Sequence, residues 1–130
     1  MEHRINQDEI ARLLEFLPIF ENPQYQFVSQ WQDFYPVYLP DVYRFFRLVS
    51  QLRCFDSNYT DRQAQKIISS IDLIQTASLN EVCDALTFCA RGERFCYGYW
   101  NSVLQSGKLV SILKRLQIIQ KLNKPKSGGC

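Results

Sequence analysis

The chain has 130 residues, of which 46% are hydrophobic and 22% are charged, and its formal net charge is +2. These values are typical of one folded globular domain and exclude a wholly disordered chain, because this length can bury a substantial core. No apolar run is long enough to span a membrane, and so small a net charge gives no argument for nucleic-acid binding by itself.

The first residues contain no apolar signal core, so we expect a cytoplasmic protein. The cysteine count is odd and includes no Cys-x-x-Cys pair, which favours reduced thiols over a disulfide framework. The five cysteines are Cys54, Cys83, Cys89, Cys96 and Cys130. Cys83 and Cys89 fall on the apolar stripe of a predicted helix, so we interpret both as core residues.

Helical periodicity begins near the N-terminus. The apolar spacing of Ile10, Leu13, Leu14 and Leu17 predicts a helix over 7–17. Asn6 is a suitable N-cap for this helix, and Pro18 is expected to end it.

The next segment, from Asn22 to Leu39, fits no helix. Loose alternation of aromatic residues with glutamines permits a short strand, but a lone hairpin has few partners in a helical protein. We therefore predict an irregular, aromatic-rich segment at about 22–39.

Five further helices are predicted, and the best supported are at 41–53, 79–91 and 108–121. Two others are expected from a cap at Thr60 through Ile71, and from about Glu93 to Gln105, with Gly107 as the terminator of the latter. The sequence thus predicts an all-α fold, a compact single-domain bundle of five or six helices over 1–122. Residues 123–130 are predicted to be a flexible tail.

The sequence lacks the residues that most kinds of enzyme catalysis require. The one histidine is His3, near a terminus that is expected to fray, which argues against Ser-His and Cys-His pairs, and there is no glycine-rich phosphate loop. The cysteines are too widely spaced for a zinc site, and the carboxylates fall at helix starts or on polar faces. We expect no catalysis, no cofactor and no metal.

Two residues in the predicted fifth helix, Cys96 and Arg94, each permit a specific functional or structural interpretation. Cys96 is expected one turn into that helix, beside Arg94 and near its positive end, which would stabilise a thiolate and allow a thiol-based redox function. Burial of Cys96 against Phe95 and Tyr99 is the alternative. Arg94 is expected to be structural, because a cation in the first turn of a helix requires a compensating partner.

Aromatic residues are the clearest surplus, since nine of the eighteen lie between Tyr25 and Phe46. They either close the bundle or line a groove that recognises a partner. Arg44 and Arg47, on the outer face of the adjacent helix, are expected to pair with acidic residues of a bound segment. The candidate partner-binding residues are Trp31, Phe34, Tyr35, Tyr38, Arg44, Arg47, Tyr97 and Trp100.

The C-terminal part of the chain is basic, and no acidic residue occurs after Lys108. A solvated face explains this pattern, and nucleic-acid binding is the functional alternative. The basic residues are Lys108, Lys114, Arg115, Lys121, Lys124 and Lys126.

The block from Arg91 to Leu116 resembles a bacterial family called domain of unknown function 6508. The resemblance lies in an Arg-x-x-Arg-Phe-Cys-x-Gly run from Arg91 to Gly98, then Gly107 and a Leu-Lys-Arg-Leu run ending at Leu116. Tyr99 stands where the family pattern has a histidine. The resemblance implies a small helical domain and no established activity. In size, glutamine content and aromatic surplus the chain is also distantly similar to a small cyanobacterial assembly chaperone of the carboxysome.

By elimination, and from the aromatic surplus, we predict a non-catalytic protein-interaction module. It would be an adaptor or assembly chaperone that grips a short segment of a partner protein. Carboxysome-type assembly is one such role. Nucleic-acid binding through the basic C-terminal helix and redox chemistry at Cys96 are the alternatives.

Overall fold

The computed structural model describes residues 5–52 and 61–123, which are mostly helical with one small sheet. The all-α prediction is therefore confirmed only in its coarser form. In these ranges there are eight helices, rather than five or six. The elements in chain order are α1 (Gln7–Leu14), α2 (Leu17–Glu21), β1 (Val28–Gln32), β2 (Tyr35–Tyr38), α3 (Pro40–Gln51), α4 (Asp61–Ile68), α5 (Ile71–Gln75), α6 (Leu79–Phe95), α7 (Tyr99–Gln105) and α8 (Lys108–Asn123).

The first predicted helix is divided in two. The cap at Asn6 is confirmed, because its side chain accepts from the Glu9 N–H at 2.8 Å while Glu9 Oε1 accepts from the Asn6 N–H. The expectation that Pro18 ends this helix was wrong. Pro18 lies in the first turn of α2, where the backbone N–H that proline lacks would have no intrahelical partner.

The prediction of an irregular segment at 22–39 was wrong for its second half. Strands β1 and β2 form an antiparallel hairpin whose register pairs Val28 with Tyr38 and Gln32 with Tyr35. The connecting residues are Asp33, with a φ of 57°, and Phe34, a two-residue turn that suits the twist of a hairpin. The hairpin is not isolated, because Tyr38 is buried against the helices. The sequence pattern could not show this long-range packing.

The predicted third helix is also divided. Ser70 accepts a hydrogen bond from the Asp72 N–H and so caps α5 as a new helix. Ile71, expected to continue the buried stripe, instead begins α5 and is 38% exposed. The proposed cap at Thr60 lies outside the described residues.

The largest correction concerns the helix boundary near residue 92. Helix α6 continues through Gly92 to Phe95, and α7 begins only after Gly98, whose φ is 92°. Arg94 therefore lies exposed in the last turn of α6, where a cation is favoured, rather than in a first turn. Cys96 is exposed and follows the negative end of α6. The expectation that Cys96 lies near the positive end of a helix was therefore wrong.

The centre of the fold agrees with the prediction. Helix α6 packs against α3 and α8, and each contributes side chains that are almost fully buried. Gly107, with a φ of 81°, adopts the left-handed conformation expected before α8. Cys83 and Cys89 are buried, as predicted. The core residues of α8 are Leu109, Ile112, Leu113, Leu116 and Ile119.

The predicted tail at 123–130 begins inside α8, which ends at Asn123. Its remaining residues lie outside the described ranges. None of the helices in 5–52 and 61–123 combines the length and apolar character needed to cross a bilayer.

Candidate partner-binding groove

A buried tyrosine attaches the hairpin to the α6–α7 turn. The Tyr38 hydroxyl donates to Glu93 Oε1 at 2.8 Å and accepts from the Asn101 N–H at 3.2 Å. Tyr38 is only 4% exposed. Burial, together with the hydrogen bond to Glu93, raises the pKa of Tyr38 well above its usual value. The hydroxyl therefore stays protonated and keeps its donor.

The same carboxylate caps helix α7. Glu93 Oε2 accepts from the Gly98 N–H at 2.7 Å, and Oε1 also accepts from the Trp100 N–H at 2.9 Å. Gly98 has no side chain that could cap the helix, so a residue from the preceding helix supplies the acceptor. One side chain thus fixes the hairpin, the turn and the start of α7 relative to one another.

Trp100 forms a half-buried base beneath this region. Its ring stacks on Phe46 with centroids 4.4 Å apart and planes 10° apart. Its indole N–H donates to the Cys89 carbonyl at 2.9 Å. The Tyr38 and Tyr43 rings lie 5.3 and 6.2 Å from it. These contacts hold the indole in one orientation.

The two glycines at the turn are required for different reasons. A Cβ on Gly92 would lie 2.3 Å from Cδ2 of Tyr99, so the Tyr99 ring can rest on α6 only because this residue is glycine. At Gly98 the positive φ favours glycine, whereas a Cβ there would make only ordinary van der Waals contact with the Trp31 ring, at 3.4 Å. Trp31 therefore covers the turn between α6 and α7.

Four of the predicted site residues are exposed on the hairpin and the α6–α7 turn, and we call them the aromatic rim. Trp31, Phe34, Tyr35 and Tyr97 are 52%, 73%, 45% and 55% exposed. Tyr97 lies 5.0 Å from Tyr35 and 6.1 Å from Phe34, measured between ring centroids. The rim joins the hairpin to the α6–α7 turn. The alternative interpretation, in which these aromatics close the core, applies to Tyr38 and not to these four.

A groove of about 350 Å³ opens beside the rim. Tyr38, Glu93 and Trp100 line its inner part, where the network described above holds them in place. We call this cavity the aromatic groove. Its lining residues are Tyr35, Pro36, Tyr38, Tyr43, Glu93, Tyr97 and Trp100.

Comparison with known proteins places this region in a family. The sequence pattern of a family of unknown function (DUF6508) matches residues 5–121. The chain belongs to this family. The match contains the hairpin and the α6–α7 turn, so the whole aromatic groove lies inside the DUF6508 region. No curated protein and no solved structure matches the chain.

A second, larger concavity of the DUF6508 domain lies next to Trp31. It has a volume of about 670 Å³, and its lining includes Phe27, Trp31, Asn101 and Gln105. Asn101 Oδ1 is shielded from solvent and accepts no hydrogen bond from the described part of the chain. Trp31 therefore presents aromatic surface to a more polar cleft, while Tyr35 and Tyr97 face the aromatic groove.

The two predicted arginines differ in position. Arg44 donates to Asp41 Oδ1 at 2.6 Å and lies 5.7 Å from the centroid of the Phe16 ring, so it is held away from the groove. Asp41 also accepts from Tyr25, whose pKa rises to about 12 through burial and the nearby carboxylate. Arg47 is exposed one helical turn after Tyr43, but it does not line the groove.

Sequence reasoning missed three lining residues, Pro36, Tyr43 and Glu93. Tyr43 had a usable signal, because a large aromatic residue stands outside the buried stripe of α3. Glu93 had none, because its partners Tyr38, Gly98 and Trp100 meet it only in the tertiary structure.

The basic C-terminal helix and a possible metal site were the other locations considered, within the described ranges. Lys114 pairs with Glu21 at 3.0 Å, and Arg115 Nε donates to the Ala77 carbonyl at 2.8 Å. Two cations of the basic helix thus have structural partners. Among residues 5–52 and 61–123, no three His, Cys, Asp or Glu side chains meet as a metal site requires.

Proposed function

We propose that this protein is a non-catalytic interaction module that binds a short segment of a partner protein on the aromatic rim and in the aromatic groove. The observation that carries the proposal is the mutual contact of three exposed aromatic side chains, Phe34, Tyr35 and Tyr97, which come from two separate parts of the chain. The same surface would serve an adaptor or an assembly chaperone, of the carboxysome type or another.

Exposure of these side chains opposes folding energetics. Full burial of one large apolar side chain is worth about 1.5–3 kcal/mol, so a contiguous exposed group is unfavourable unless a partner covers it. Tyrosine and tryptophan are also the residues that most often dominate binding energy at interfaces. The rim therefore has the composition of a recognition surface.

The support beneath the rim favours binding. Tyr38 and Glu93 fix the hairpin to the α6–α7 turn, and Trp100 is held by Phe46 and the Cys89 carbonyl. A surface held in its bound shape loses little conformational entropy on association. The groove is at the small end of the usual size range of ligand pockets, which suits individual side chains of an extended segment.

The chemistry of the groove suits binding rather than catalysis. Glu93 is its carboxylate, and that carboxylate already accepts three hydrogen bonds from Tyr38, Gly98 and Trp100. These bonds use three of the roughly four acceptor positions of the carboxylate and give Glu93 a structural role.

A peptide-display experiment tests the proposal. Random linear peptides are selected on the wild-type protein, and the enriched peptides are titrated against the Trp31→Ala/Tyr35→Ala double variant. We expect the double variant to lose binding while melting like wild type, because both side chains are exposed. Phe95→Ala is the matched control, since Phe95 is 76% exposed but does not line the groove.

Two outcomes would contradict the proposal. One is that no peptide is enriched above a selection on the double variant. The other is retention of single-stranded RNA or DNA that depends steeply on salt and is unchanged by the two alanines, which would indicate the nucleic-acid alternative.

A further inference from the structure

We propose that the aromatic groove binds the cationic side chain of a lysine or arginine in the partner segment. This inference rests on the proposed function and specifies the chemistry of the residue that enters the groove.

Aromatic rings surround the groove in different orientations. Tyr35 and Tyr97 meet at an interplanar angle of 66°, and Tyr43 and Trp100 meet at 78°. All four line the same cavity. The face of an aromatic ring carries the negative part of its quadrupole and attracts a cation, most strongly for tryptophan. Rings that surround one cavity at steep angles are the arrangement with which proteins recognise ammonium groups.

A carboxylate adds negative charge to the same cavity. The three groups that donate to Glu93 are a hydroxyl and two backbone N–H groups, none of which carries a positive charge. No lysine or arginine lines the groove. An incoming cation would therefore complement a charge that these residues leave unmatched.

The surroundings favour a side chain of a protein segment over a free small cation. The exposed Phe34 and Trp31 extend the aromatic surface beyond the groove. A lysine or arginine has an apolar stem that can lie on Tyr35 and Tyr97 while its charged group reaches Glu93. The residues before and after it in the partner would then cover the rest of the rim.

A set of pentapeptides tests the inference independently of the display experiment. Acetylated, amidated Gly-Gly-X-Gly-Gly peptides, with X lysine, arginine, norleucine or glutamate, are titrated while the Trp100 indole resonance is followed by NMR. We expect lysine or arginine to bind at least about tenfold more tightly than norleucine, and glutamate to bind most weakly. The affinity for lysine should fall as salt is added.

Matched variants locate the effect. Tyr97→Leu removes one ring of the cavity at an exposed position and should abolish the preference for the cation, whereas Phe95→Leu should leave it unchanged. Glu93→Gln should also reduce the preference. Because Glu93 caps α7, the binding result of Glu93→Gln is interpreted only if this variant unfolds cooperatively. If it does not, Tyr97→Leu tests the preference for the cation.

The outcomes separate this inference from the proposed function. Equal affinity for norleucine and lysine would overturn the cation and leave a binding module that prefers apolar residues. Binding of tetramethylammonium without binding of the lysine or arginine peptide would also overturn it, in favour of a free ammonium compound. If display-selected peptides contain neither lysine nor arginine yet require Trp31 and Tyr35, the inference fails and the proposed function stands.

Discussion

The hydroxyl of Tyr38, at the end of β2, lies 2.8 Å from Glu93 Oε1 in the last turn of α6. The two residues are 55 positions apart in sequence. Because Glu93 also accepts from the first N–H groups of α7, this contact determines how the hairpin sits against the turn. The shape of the aromatic groove depends on it.

Removing this hydroxyl should destabilise the protein. We expect Tyr38→Phe to lower the free energy of unfolding by about 1–3 kcal/mol, because it removes one of the three donors to the Glu93 carboxylate and the hydroxyl that accepts from the Asn101 N–H. Urea denaturation measures the change. Tyr35→Phe is the control, because Tyr35 is 45% exposed and should unfold like wild type. Equal stability of the two variants would contradict the role of the network.

Gly92→Ala should also be destabilising, although alanine is the better helix former by about 1 kcal/mol. The added methyl would lie 2.3 Å from Cδ2 of Tyr99, and overpacking of this kind costs about 1–3 kcal/mol. A double-mutant cycle with Tyr99→Ala, followed by thermal denaturation, separates the two effects. In the Tyr99→Ala background the same substitution should become neutral or stabilising. Additive effects would show that the ring does not rest on the helix.

Leu113→Asp should prevent folding or leave the protein insoluble. Leu113 is 0% exposed at the centre of α8, and an isolated carboxylate there has no compensating partner, which costs more than about 4 kcal/mol. Circular dichroism and a thermal melt test this. Ile118→Asp on the same helix is the control, since Ile118 is 47% exposed and should tolerate the charge. A cooperative melt of Leu113→Asp near that of wild type would refute the placement of α8.

Cys89 should make the protein less stable in alkali. Burial raises the pKa of its thiol from 9.0 to about 12, so the unfolded chain loses this proton first as the pH rises. Stability from this group is complete below pH 9.0 and declines between 9.0 and about 12, by at most about 1.4 kcal/mol per pH unit. Thermal melts of wild type and Cys89→Ala across this range measure the difference. The variant should be less stable at neutral pH but lose stability more slowly with rising pH, and parallel curves would contradict the assignment.

Local sequence signals determined the parts of the fold that depend on neighbours in the chain. The cap at Asn6 and the left-handed Gly107 depend only on residues close in sequence, and both appear as predicted. The buried stripes of α3 and α8 follow in the same way from helical periodicity. These features identified the central helices and the residues that form the core.

Only the tertiary structure decided the groove. Pro18 and Ser70 are each compatible with the end of one helix or the start of another, so the sequence pattern did not show where the predicted helices divide. The hairpin forms because helices cover Tyr38, and the aromatic residues could be sorted into buried and exposed only once that contact was made. Sequence patterns report the period of a segment and its own caps. They carry no information on which distant segment meets it, and that meeting placed Tyr97 beside Tyr35 and Glu93 beneath both hairpin and turn.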